Sequence, residues 1–478
     1  MRYVVAAVIA FLAIIAFLAY WRFSGKYRQG MGFLEYVRNP RAPQQLADEL
    51  SEWHSAIARL ATRPPKELVA MLLKDADQFG LASRAIREAG PHVVPALLEA
   101  INDPNFRGGK QVGPFGEPRE PLETVLSCLE AYAPSQAVSV VAPLVDDQSH
   151  DIRRQAASLL GSIGADDAIT LLQRLLSDED DYVRSSAMRG IIAATIAGRA
   201  TPRFKAAMYE AVKPLVFRRD PTVGGEGPRC LLLLDRRAAI AFLTDENNLS
   251  VGQENLHFVL RALREEHVEI GESHLLRMVS AIENNATKYP NDRVLGELLQ
   301  LLAPFKSDAA REAIHRSMQH ASRHVRESAA KATVEAADLA SPLDAAWDRL
   351  KSHGWKGLST AQRRVLAVRI LIDEVENGGF MQYFVNDSGN HWRDAAEGFS
   401  AIGGATDQKL LEEAVIRFGP QPPSEDRDNR HRQVARLARG SNRPFESIER
   451  RFYEDADDRE VLLLNFILQH ANEFRSNS

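Results

Sequence analysis

Apolar and polar positions along the chain fall into three regimes. The first is a continuous apolar run from Tyr3 to Trp21, YVVAAVIAFLAIIAFLAYW, with no charge, proline or glycine. A helix crosses the hydrocarbon core in roughly 20 such residues, so residues 3–21 are expected to form a transmembrane anchor. Tyr20 and Trp21 stand at its far end, where amphipathic rings favour the headgroup layer. The run is long for a signal peptide and lacks a small-residue cleavage site. Arg2 precedes it, whereas Arg22, Lys26 and Arg28 follow it. The positive-inside rule therefore predicts a single-pass membrane protein with its body in the cytoplasm. Residues 22–43, with Pro, Gly and Arg, read as a juxtamembrane linker.

The second regime, residues 44–340, has helical periodicity. Leu46, Leu50, Trp53, Ile57 and Leu60 mark one apolar face, and Pro64-Pro65 ends that helix. Further on the pattern repeats. SHDIRRQAASLLGSIG (Ser149–Gly164) and DDYVRSSAMRGIIAAT (Asp180–Thr195) align with Ile152-Arg153 over Val183-Arg184 and Ala156 over Ala187. RHVRESAAKATVEAAD (Arg323–Asp338) supplies a third copy through Val325-Arg326 and Ala329. Each copy follows a short amphipathic helix and a polar turn, which is the signature of an α-solenoid. The turn, the [VI]-R pair, the small alanines and Leu160-Gly161 resemble HEAT-like repeats of the phycobilin-lyase-related type. The alanines let helices approach closely. The arginine fork is expected to reach the turn of an adjacent repeat and bind carboxylates or helix-terminal carbonyls there.

The pattern changes again after Leu343, and residues 345–478 are expected to form a separate helical domain. Leu366, Ile370, Ile372 and Val375 give an apolar helix face closed by Asn377-Gly378-Gly379, residue types that end helices by taking left-handed conformations. Phe380, Tyr383 and Phe384 begin a second apolar stripe, and Asn386 to Gly389 make another turn. The string Glu374, Asn377, Gly378, Gly379, Phe380, Gln382, Tyr383, Phe384, Asn386, Gly389 resembles the hallmark of a helical family known as the DNA-mimic-type domain of unknown function. Ser400 to Ala405, Leu410-Leu411 and FESIERRFYEDADD (Phe445–Asp458) extend the resemblance, with Glu449 where the family usually has Asp. The resemblance implies an all-helical domain and, for the family, display of carboxylates to a DNA-binding partner. Such mimicry needs a surplus of negative charge, yet residues 341–478 hold 22 acidic and 19 basic side chains.

Composition narrows the function classes. Hydrophobic residues make up 45% and charged residues 26%, the balance of a folded chain. With Lys+Arg 59 against Asp+Glu 64, no basic domain is in evidence and no direct nucleic-acid contact is expected. Cys128 and Cys230 both lie in apolar helical stretches, so buried thiols are expected rather than a disulfide framework. Ser328 and Lys331 match S-x-x-K without the accompanying motifs. His315, His320 and His324 are close in sequence, but the repeat frame puts a turn between the last two. No metal, cofactor or catalytic constellation is expected.

The whole reads as an all-α protein: an N-terminal transmembrane helix, an α-solenoid of HEAT-like repeats and a C-terminal helical domain. The expected function is a membrane-tethered scaffold that binds a protein partner. Glu374, Asn377, Gly378, Gly379, Phe380, Gln382, Tyr383 and Asn386 are the candidate binding residues. Around a Gly-Gly turn they suit either a small-ligand or enzymatic pocket or a set of caps and amide bonds that holds the turn. A DNA-mimic regulator is the third reading.

Overall fold

The computed structural model describes residues 42–73, 76–107, 111–112, 118–218, 225–284, 291–337, 339, 342–440, 443–454 and 458–475. Their regular secondary structure is helical apart from a two-residue antiparallel ladder, Gln111–Val112 with Pro118–Arg119. The expected transmembrane helix and single-pass membrane placement are not supported by the structure. Among the described residues no helix is long and apolar enough to cross a membrane, and Tyr3–Trp21 lies outside them. The long described helices carry charged residues within their length. Helix α1 (Ala42–Ala61) carries Glu52 and Arg59 among its apolar positions, and the longest helix carries six charged residues before it breaks at a Gly-Gly pair.

The chain divides into two compact units, Gln44–Glu269 and Ile270–Ser478. After α1 the first unit continues with α2 (Pro65–Ala70), α3 (Ala76–Ala89), α4 (Val94–Ile101), α5 (Pro121–Glu130), α6 (Ala137–Val141), α7 (His150–Ile163), α8 (Ile169–Leu175), α9 (Asp181–Ile196), α10 (Pro202–Val212), α11 (Glu226–Leu234), α12 (Arg236–Leu243) and α13 (Leu256–Glu265). Helices α5, α7, α9 and α11 stack in succession, the nearest-neighbour packing of a solenoid. The crossing of α7 and α9 is closest at Gly161 and Gly190. A Cβ on Gly190 would stand 2.4 Å from the Ser158 carbonyl oxygen, and one on Gly161 2.8 Å from that of Ala187. Cys128 and Cys230 are buried and not joined to each other.

The repeat arginines act alike in all three copies. Arg153 donates through Nη1 to the Asp147 carbonyl at 2.9 Å, Arg184 to the Asp178 carbonyl, and Arg326 to the His320 carbonyl at 2.7 Å. Each reaches back six residues to close the turn before its own helix. Arg153 also forks onto Asp178 in the turn of the next repeat, at 2.8 and 3.0 Å. Burial pushes the Asp178 carboxyl up, but the Arg153 bonds, the Asp180 amide and Arg184 outweigh it and hold its pKa below the ordinary value.

The second unit opens with α14 (Glu272–Asn284), α15 (Asn291–Leu302), α16 (Asp308–Ser317) and α17 (Arg323–Ala336). There follow α18 (Pro342–His353), α19 (Thr360–Val385), α20 (Trp392–Ile402), α21 (Ala405–Ile416), α22 (Arg427–Gly440), α23 (Glu446–Glu454), α24 (Arg459–Gln469) and α25 (Ala471–Phe474). Helix α17 packs on both α15 and α24. Its Ala330 and Val334 lie in the same buried cluster as Val365, Phe380, Phe384 and Ile467. Arg326 meets Asp458, the residue before α24, at 2.6 Å. Asp458 thus takes the place, against Arg326, that the next repeat's Asp178 takes against Arg153. The last repeat is closed by the C-terminal helices as it would be by a further repeat, which covers an end that a solenoid must cap.

Candidate functional site

Helix α19 carries the candidate residues and is two helices joined at a break. It starts on a capping box, with Ser359 Oγ accepting the Gln362 amide at 3.2 Å and Gln362 Oε1 accepting the Ser359 amide at 3.0 Å. At the break Gly379 has φ 77° and ψ 178°, a region essentially reserved for glycine. The Asn-Gly-Gly string therefore turns the chain between two helical segments within one long element. The Phe380 amide, at the head of the second segment, donates to Glu449 Oε1 of α23 at 2.9 Å. Burial raises the Glu449 pKa above the ordinary carboxylate value, and the Phe380 amide works against that rise.

Glu374 sits one turn before the break and gathers the polar side chains after it. Gln382 Nε2 donates to its Oε2 at 2.6 Å, Asn386 Nδ2 reaches both oxygens at 2.9 and 3.0 Å, and Ser388 Oγ reaches Oε1 at 3.2 Å. One half-buried carboxylate thus ties the helix before the turn to both the helix and the loop after it. Gly378 lies against this knot, since a Cβ there would meet Gln382 Oε1 at 2.0 Å. Asn377 is exposed and stands outside the network.

Phe380 and Tyr383 face inward. Phe380 is ringed by Phe384, Phe445 and Phe452, with centroids 6.3, 6.1 and 5.6 Å away. Tyr383 is buried, and its hydroxyl has no hydrogen-bond partner among the described residues. Burial raises the phenol pKa strongly. The eight candidate residues thus separate into a carboxylate–amide knot, a glycine break, an aromatic core and one exposed asparagine.

Three features that the sequence pattern missed complete the site. Arg430 is 0% exposed. It donates to the Phe384 carbonyl at 2.8 Å and the Asn386 carbonyl at 2.9 Å, ending the second segment of α19, and also to the Ser424 carbonyl six residues behind it. That reach is the one made by the repeat arginines. Burial lowers its pKa, and Gly389 leaves room for it, since a Cβ there would stand 2.7 Å from Arg430 Nε. Asp407 and Arg459 form a buried fork at 2.8 and 2.6 Å, with Arg459 also bonded to the Phe452 carbonyl at 2.6 Å. Glu449 stood out in the sequence only as a departure from its family's aspartate.

The dismissed motifs lie where the repeat frame put them. His315 is on α16, His320 in the turn and His324 on α17, while Ser328 is buried inside α17. Among the described residues no group of three or more His, Cys, Asp or Glu is placed to hold a metal ion.

Comparison with known proteins agrees with the two sequence resemblances. Residues 117–192 match the family described as HEAT repeats, and residues 356–470 match the family described as DMP19-like protein. No curated protein sequence matches the chain. Among solved structures, the crystal structure of an engineered protein aligns over 82% of this chain and 98% of its own, at 15% identity and a TM-score of 0.29. The chain carries HEAT repeats followed by a DMP19-like domain.

Proposed function

We propose that this protein is a non-catalytic helical scaffold whose repeats hold a protein partner. The observation that carries the reading is a groove of about 590 Å³ between α6 and α8, inside the HEAT match. Val138 and Leu171 give it an apolar floor, with Ser139, Asp167 and Thr170 along the rim. An apolar floor with a polar rim is the anatomy of a protein interface, and solenoids present such surfaces repeatedly. The knot around Glu374 supports the same reading. Its carboxylate already accepts bonds from Gln382, Asn386 and Ser388, and those bonds serve the turn.

Imitation of DNA by the C-terminal domain is a second reading, resting on the family match. Arg432, Arg436 and Arg439, all exposed on α22, weigh against it.

The test uses the tagged full-length chain as bait in its own cells. Ser139→Arg with Thr170→Arg places two bulky cations on exposed rim positions without touching the repeat core. The scaffold reading expects capture of the parent's partner to fall by roughly tenfold or more, a loss of about 1.4 kcal/mol, at an unchanged melting temperature. Equal capture by parent and variant would sink it.

A further inference from the structure

A second groove, of about 610 Å³, lies on the C-terminal unit between the start of α20, the loop before α22 and the first turns of α22. Arg393, Arg432 and Arg436 line it, with Glu425 as the one acidic residue. Donors of the fold occupy the carbonyls of the loop wall. Gln433 donates to the carbonyls of Gln421 and Pro422 at 3.3 and 2.9 Å, and Trp392 Nε1 to that of Pro423 at 3.0 Å. Arg430 takes those of Ser424 and Glu425. Five consecutive carbonyls are thus bonded to side chains of the fold. Arg430 and Gln433 are themselves buried, at 0% and 8% exposure, so the wall is preformed.

The cations are not equally satisfied. Arg393 pairs with Glu425 and lies 4.5 Å from the centre of the Trp392 ring. Arg432 donates to the Asn429 side chain, and Arg436 to the Arg432 carbonyl at 3.4 Å. Neither Arg432 nor Arg436 forms an ion pair with a carboxylate among the described residues. They sit one helical turn apart, where like charges repel.

From this geometry we propose that the groove binds an extended acidic peptide segment of a protein partner, through carboxylates on alternate residues. Side chains at i and i+4 of a helix stand about 5–6 Å apart. Alternate residues of an extended strand are separated by about 6.4–6.8 Å on one face. Arg432 and Arg436 can therefore each take one carboxylate, in the forked geometry that guanidinium favours. A peptide fits better than a nucleic acid, because the cationic lining is confined to one short cup with an acidic residue on its rim. Nucleic-acid binding calls for a longer basic stripe. The site is confined to the C-terminal unit and does not depend on the repeat groove.

The experiment is fluorescence anisotropy of a labelled peptide alternating Glu and Ser, titrated with the full-length chain at low ionic strength. A Gln-Ser peptide and an oligothymidylate of equal charge serve as comparisons. The acidic peptide is expected to bind and the Gln-Ser peptide not to. Arg432→Gln with Arg436→Gln should weaken binding by roughly tenfold. Arg439→Gln, an exposed change on the same helix outside the groove, should change it less than about twofold. Circular dichroism verifies that each variant is folded. The proposal is overturned if the acidic peptide does not bind, if the double variant binds as the parent does, if Arg439→Gln weakens binding equally, or if the oligothymidylate binds in preference.

Discussion

Asp407→Ala is expected to destabilise the C-terminal unit by about 3–5 kcal/mol, the cost of breaking a buried ion pair from one side. Asp407 is 0% exposed and Arg459 5%. Removing the carboxylate leaves a guanidinium held by the Phe452 carbonyl at 2.6 Å and by exposed Glu376 at 3.8 Å, with its face against the Phe452 ring. Most of the cost is the desolvated charge left behind, not the attraction lost. Arg459→Met in the Asp407→Ala background should therefore recover part of the stability, because it removes the stranded charge and keeps an apolar stem. Tryptophan fluorescence during urea unfolding of the full-length chain reports mainly on this unit, since three of the five tryptophans, Trp347, Trp355 and Trp392, lie in it. A loss below about 1 kcal/mol for the single variant, the range of an exposed pair, would show that the pair is not sealed from water.

Gly379→Val is the second large effect, expected at about 2–4 kcal/mol. A non-glycine residue at φ 77° and ψ 178° costs about 1–3 kcal/mol by itself. A Cβ at this position would also stand 2.2 Å from Glu449 Oε1. The carboxylate must move off the Phe380 amide, which adds the roughly 1 kcal/mol of a lost helix cap. The two contributions are separable. In a Glu449→Ala background the cap is already gone, so Gly379→Val should cost less there than in the parent. The same unfolding assay reads both, and a cost independent of Glu449 would mean that backbone strain acts alone.

Local patterns made some of this legible and left the rest hidden. Helix periodicity, the [VI]-R pair and the small residues at the α7–α9 crossing are set by neighbours a few residues or one repeat away, so a linear reading recovers them. Arg153 and its expected reach into the next turn is the clearest case. The Asn-Gly-Gly string announced a helix break, and Gly379 makes it. Hidden were the contacts that join distant parts of the chain. Phe380 and Glu449 are 69 residues apart, Arg430 and Phe384 46, and Arg326 and Asp458 132. No period links such positions, and a buried arginine reads in sequence like a solvated one. Periodicity also gives the apolar face of a helix but not what covers it. For that reason α17 reads as a repeat helix, although its Ala330 and Val334 share a core with the C-terminal domain. The apolar run of Tyr3–Trp21 suggested a membrane placement that no described helix supports.

The central claim is that a partner is held by the repeats while the turn around Glu374 holds the fold. Hydrogen exchange of the full-length chain, alone and with its captured partner, tests it most directly. The account predicts slowed exchange in α6 and α8 on binding, with amides between Glu374 and Ser388 changing little because their protection already exists in the free chain. Slowing confined to Glu374–Ser388, with α6 and α8 unaltered, would contradict it and move the functional site to the glycine break.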